Sequence, residues 1–262
     1  MTFVRPLALP QFPAHRECIG CELHTRAASV GIPTHYLPSS LSPSSSVPCV
    51  LFLGQNPGNT EDRQGTPFIG PTGQLLQSAY IAGIHLTSLA SIFLSNTARC
   101  YHLHGESPTN AHYKACRPHL LPDLHHLASL SSELIVVCLG AAATSHLHAL
   151  LSVPKVTLTS SFSHQGRQIS LPPLPVDSSP LSSDREGGSG AVPGRDDHSD
   201  GRGISPPCVR VYTTFHPAAC LRTHNLIHAV EGHLTLLLHH LTNRSPVPST
   251  PTLILPTPPP PV

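Results

Sequence analysis

"CVLFLGQNPGNTEDRQGTPFIGPTG" (residues 49–73) begins with an apolar run and empties into a loop dense in glycine, proline and polar groups. The run "CVLFLG" (49–54) has the length and composition of a strand buried on both faces. The segment after it far exceeds the roughly four to six residues of an ordinary connection, so it is shaped for a task other than reversing the chain.

Three more runs repeat the pattern: "SIFLSN" (91–96), "LIVVCLG" (134–140) and "VRVYTTF" (209–215). Helix-compatible stretches lie between them at 71–82, 108–129 and 140–151, and after the last at 223–242. Strand alternating with helix predicts an α/β fold, a three-layer α/β/α sandwich around a central four-stranded, mostly parallel sheet. In such sheets the ligand crevice lies beyond the carboxyl ends of the strands. That rule gathers four segments: 54–70, Asn96 to Cys100, 140–145, and "HPAACLR" (216–222).

The 262 residues include 30 prolines, so part of the chain is expected not to pack, leaving one core of about 190 residues. The expected organisation is an N-terminal extension (1–17), one domain (18–242) with a disordered insert at 172–207, and a proline-rich tail (243–262). Residues 37–48, "LPSSLSPSSSVP", read as a flexible connector. Net charge is +1 with 11% charged residues, which gives no global basic field; a nucleic-acid partner has to be held locally. The 20 histidines read as a compositional bias. With no apolar h-region at the N-terminus and no run near ~18 apolar residues, the expectation is a soluble intracellular protein without a membrane partner.

The eight cysteines divide into two kinds. Cys49 and Cys138 lie in strand-like runs, Cys208 borders the insert and Cys220 follows two alanines, all suiting small apolar packing. Cys18 and Cys21 form C-x2-C, while Cys100 and Cys116 form C-x15-C. Spacing alone leaves open a tetrahedral zinc, an iron-sulfur cluster, or unrelated free thiols.

Taken together, "CIGC", "GQNPGNTEDRQGTPFIGPTGQLL", "SNTARC", "SPTNAHYKACRPHL" and "TTFHPAACLR" resemble, in order and spacing, the family 4 uracil-DNA glycosylases, the iron-sulfur branch of the uracil-DNA glycosylase superfamily. The resemblance runs from about Cys18 to Leu241 without the insert. It implies a [4Fe-4S] cluster on Cys18, Cys21, Cys100 and Cys116 that pins the N-terminal segment to the crevice rim. It also implies a monomeric DNA-repair hydrolase that flips uracil from single- or double-stranded DNA and leaves an abasic site.

Each task then has a candidate residue. Phe68, between two glycines, stacks on the flipped pyrimidine. Asn96 offers an amide donor and acceptor to the uracil O4 and N3–H edge, where cytosine presents the opposite pattern. His216 stabilises charge collecting on uracil O2 as the bond breaks. Leu221 wedges into the gap in the stack and Arg222 meets phosphates.

One position departs from the family, where Glu commonly follows the first glycine of the long loop. Here Gln55 and Asn56 occupy that place, and neither amide accepts a proton. "NPG" is similar to other superfamily branches in which an Asn positions the attacking water. Asn56 is therefore expected to hold the water beside Glu61, with Gln55 at the substrate side.

Two alternatives stay open on the residues alone. One is a superfamily member with altered base range or weak activity; the other is a non-catalytic iron-sulfur or zinc DNA-binding module. Covalent capture of DNA is disfavoured, because "CYHLHGESP" carries His102 and His104 but no basic run.

Overall fold

The computed structural model describes residues 11–103, 106–154, 157–174, 207–223 and 225–243. Among them the four apolar runs form parallel strands β2 (Cys49–Gly54), β3 (Ser91–Asn96), β4 (Leu134–Leu139) and β6 (Cys208–Thr214), adjacent in the order β3-β2-β4-β6. Two short strands extend the sheet to six. β1 (His35–Leu37) pairs antiparallel with β3, and β5 (Arg167–Ser170) pairs antiparallel with β6. The predicted four-stranded sheet is thus the parallel centre of a larger mixed one. Three or four residues, three of the four polar in "RQIS", are too few to show a periodic pattern.

The parallel strands are buried on both faces because their side chains alternate between two cores. Val50, Phe52, Ile92, Leu94, Ile135 and Val137 face one side, where they meet α2 (Pro71–Leu75), its π-helical continuation Leu76–Ala82, and α7 (Leu226–Thr242). Leu51, Leu53, Phe93, Val136 and Val211 face the other, against α3 (Asn110–Ser129) and α4 (Gly140–Leu150). This is the predicted three-layer sandwich. Shorter helices α1 (Asn59–Gln64), α5 (Leu158–Ser161) and α6 (Pro217–Arg222) decorate its ends.

Two expected boundaries shift. Phe12 falls inside the predicted N-terminal extension, yet its ring is buried edge-on against Phe93, with centroids 5.8 Å apart. The extension therefore contributes to the core from residue 12. The expected flexible connector at 37–48 is instead tied down: Ser91 Oγ and Ser39 Oγ both donate to Leu41 O, and Ser132 N donates to Val47 O. Most of the predicted insert and the tail beyond Asn243 lie outside the described residues. The insert's ends are described, and they meet: Leu171 N donates to Pro207 O at 2.8 Å, closing the β5–β6 hairpin. No helix among the described residues is long and apolar enough to cross a membrane.

Candidate active site

Parallel strands deliver their carboxyl ends to one edge, where Gly54 of β2 and Asn96 of β3 are register partners. Against them lies a cavity of about 250 Å³, lined among others by Asn56, Glu61, Phe68, Asn96 and His216. Sites for drug-sized ligands run from roughly 300 to 1,000 Å³, so this one has the size for a single heterocycle. Hollows of about 390 and 590 Å³ lie elsewhere, but neither gathers residues from the ends of β2, β3 and β6.

The absence of a side chain at Gly54 makes this pocket possible. A Cβ there would come within 2.5 Å of Asn96 Oδ1 and 2.6 Å of Phe68 Cζ, closer than any real contact. Gly73 is equally constrained, since a Cβ would lie 2.0 Å from Phe68 O. Phe68 itself is buried with φ at 57°, a left-handed conformation that is costly for an aromatic residue and concentrates at functional sites. Its carbonyl is held by Gln77 Nε2 at 2.7 Å. Glycines on both sides let the chain tolerate that turn and aim the ring at the cavity.

His216 caps α6, with its Nδ1 accepting from Ala218 N at 3.2 Å. That bond leaves Nε2 as the donor of a neutral ring. Burial, and then the Arg222 charge, push its pKa down to about 4, so the imidazole is neutral at physiological pH. The ring lines the cavity and is not wholly sealed, but protein surrounds it enough for desolvation to dominate.

The two loop carboxylates are buried rather than solvated, and they divide their work. Glu61 lines the cavity and accepts from Gly70 N at 2.8 Å, bridging the two ends of the long loop. Asp62 points away, accepting from Ala28 N and Ser29 N, both at 3.0 Å. Asn56 Nδ2 donates to Pro57 O, leaving its Oδ1 as an acceptor toward the cavity. Gln55 lies outside the lining, and its side chain lies beside Tyr113 on α3. Leu221 is exposed beside Arg222 at the end of α6.

Cys100 and Cys116 are buried, while Cys18 and Cys21 are half-buried. Cys100 feels both Cys18 and Cys21 electrostatically, and Cys116 feels Cys100 and Cys21, so the four sulfurs share one region. Gly31 N donates to Cys100 Sγ and Arg99 N to Cys116 Sγ, each at 3.4 Å, and His119 Nε2 lies 3.3 Å from Cys18 Sγ. Burial raises both inner thiols, Cys116 to about 11. Such thiols ionise only beside a cation, and a bound metal supplies one. Three buried nitrogens nearby, His15 Nε2 and Arg99 Nε and Nη1, have no hydrogen-bond partner among the described residues, as suits an anionic thiolate cluster. The remaining guanidinium nitrogen of Arg99 pairs with Asp123 at 2.6 Å.

Sequence reasoning missed three supports. The Thr97 hydroxyl bonds the carbonyls of Gly54 and Gln55, Tyr113 stands beside Gln55, and the buried Arg99–Asp123–Thr34 group stiffens the loop after β3. Their partners lie tens of residues away in the chain, and no local pattern marks them.

The uracil DNA glycosylase superfamily description matches residues 44–235. The chain belongs to the uracil-DNA glycosylase superfamily. Its similarities to curated proteins fall on enzymes named type-4 uracil-DNA glycosylase, as the motifs predict. That of Archaeoglobus fulgidus is 26% identical over 54% of this chain and 64% of its own length. That of Thermotoga maritima is 27% identical over 50% and 60%. That of Saccharolobus solfataricus is 31% identical over 37% and 43%. The matched stretch therefore spans less than two thirds of each of these relatives.

Proposed function

We propose that this glycosylase-superfamily chain excises uracil from DNA, hydrolysing the N-glycosidic bond to leave an abasic site. The carrying observation is the neutral His216 imidazole, fixed by Ala218 N, sharing one base-sized cavity with Asn96 and Phe68. A glycosidic bond that breaks dissociatively leaves negative charge on the base, and a preorganised neutral donor stabilises that charge without first surrendering a proton. The Asn96 amide reads the edge of the base, and Phe68 stacks on its face. Asn56 Oδ1 accepts from the attacking water, and Glu61, one loop turn away, takes its proton. A positioned base is worth about 10²–10⁴ in rate, so replacing the family's common Glu with Gln55 slows the reaction without abolishing it.

Cys18, Cys21, Cys100 and Cys116 would hold a [4Fe-4S] cluster. When bound there, it would tie the N-terminal segment to the loop after β3 and to α3.

The test incubates purified protein with uracil-containing single strands and duplexes, then applies alkali and looks for strand scission. Scission that disappears in His216→Ala and falls in Asn96→Asp is expected. No abasic product at enzyme excess overturns the reading. Anaerobically purified protein is expected to carry about four irons and to lose them with its visible absorbance in Cys116→Ser; bound zinc without iron would overturn the cluster.

A further inference from the structure

The largest hollow among those described above, about 590 Å³, lies between α3 and α4. One wall is a face of α3 bearing Tyr113, Lys114 and Arg117, and the other is a stripe of small residues on α4 that includes Ala142, Ser145 and Ala149. No carboxylate lines it. Lys114 and Arg117 are exposed, and neither is in an ion pair among the described residues. In a chain with a net charge of only +1, two cations at i and i+3 over a wall of small side chains form a local positive trough.

The trough shares no lining residue with the base cavity but adjoins its surroundings at two points. Gln55, the chain neighbour of Asn56, lies beside Tyr113 in the trough wall. At a second point Gly140 abuts His216, where an added Cβ would lie 3.3 Å from His216 Cβ, and the next residues, Ala141 and Ala142, line the trough. Small residues on α4 allow a bulky chain to approach the helix backbone closely.

We propose that this trough binds the sugar-phosphate backbone of the DNA strand flanking the extruded nucleotide, with Lys114 and Arg117 each neutralising a phosphate. The inference rests on the DNA-glycosylase reading above and adds to it a track for the polyanion. It also explains how a nearly neutral protein holds DNA: the positive charge is concentrated beside the cavity instead of spread over the surface.

Salt dependence of binding tests it. Fluorescence anisotropy follows a labelled oligonucleotide carrying a stable abasic-site analogue, as single strand and as duplex, across a salt series. Loss of two phosphate contacts lowers the slope of log K against log salt by about 1.4 on single strands and about 1.8 on duplex. That change is expected for Lys114→Gln/Arg117→Gln, with affinity falling more than about 10-fold at low salt. Ala149→Glu, which brings a negative charge in from the opposite wall, is expected to weaken binding in the same salt-dependent way. Thermal melts confirm that each variant is folded. An unchanged slope in the double variant overturns the proposal. So does a loss in the double variant that Ala149→Glu fails to reproduce, because the contacts would then lie outside the trough. Uracil release by the unmodified protein is scored separately: a reduced slope without any release would keep the trough and remove the glycosylase reading.

Discussion

At the scale of single residues the site depends on where protons and methyl groups are absent. His216 has a folded-state pKa of about 4, depressed first by burial and second by Arg222. The depressed value means that the unfolded chain binds the proton more readily below pH 6.5. Protonation therefore costs the fold nothing at neutral pH, and at most roughly 3 kcal/mol once pH has fallen from 6.5 to 4. For activity, uracil release is expected to be flat from pH 6.5 to about 5 and to fall with an apparent pKa near 4 as the ring protonates. A pH profile, with the fold followed by circular dichroism, checks this: the acid limb persists in Glu61→Gln and vanishes from the residual activity of His216→Asn. Gly54 makes the complementary case. Gly54→Ala adds one methyl that must displace Asn96 or Phe68, and a displacement of about 1 Å from productive geometry costs on the order of 10²-fold. Single-turnover kinetics are expected to show that loss while urea denaturation changes far less.

At the scale of elements, the loop after β2 behaves as two clamps joined at α1. Glu61 closes the loop on itself through Gly70, and Asp62 ties it to the segment at Ala28 and Ser29, which in turn leads to the Gly31 amide bonded to Cys100. Asp62→Ala leaves two amides without their carboxylate and is expected to destabilise the protein by about 1–3 kcal/mol, read as a lower urea midpoint at unchanged slope. The sequence showed the adjacent acidic pair but not that its two members face opposite ways, since orientation depends on the turn of a six-residue helix. The same boundary runs through the whole fold. "CVLFLG" and "SIFLSN" were legible to the residue because a strand buried on both faces is a continuous apolar run. β1 and β5 were not legible, because edge strands of three and four residues gain their order from neighbours rather than from pattern. Phe68, Asn96 and His216 could be gathered in advance because parallel strands deliver their ends to one edge. The approach of Gln55 to Tyr113 could not, because it brings a loop to a helix face whose rotation only packing decides.

At the scale of the molecule, the sheet separates chemistry from insertion. The cavity lies at the carboxyl ends of β2, β3 and β6, whereas the chain between Leu174 and Pro207 leaves and rejoins at the amino end of β6. Ser170 and Cys208 are register partners, and the Leu171–Pro207 bond lies one step beyond them, so the two ends are already at hairpin distance without anything in between. Joining them therefore strains neither strand, and it removes the entropy of closing a loop of about thirty residues, a cost that grows only slowly with length. A chain with residues 175–206 replaced by an Asn-Gly turn is expected to melt at the same temperature or slightly higher and to release uracil at an unaltered rate. Melting and single-turnover excision measured side by side check both. Lost activity with an unchanged melting temperature would mean that the insert reaches around the sheet to the DNA, a span that its length permits but that neither the hairpin geometry nor the cavity requires.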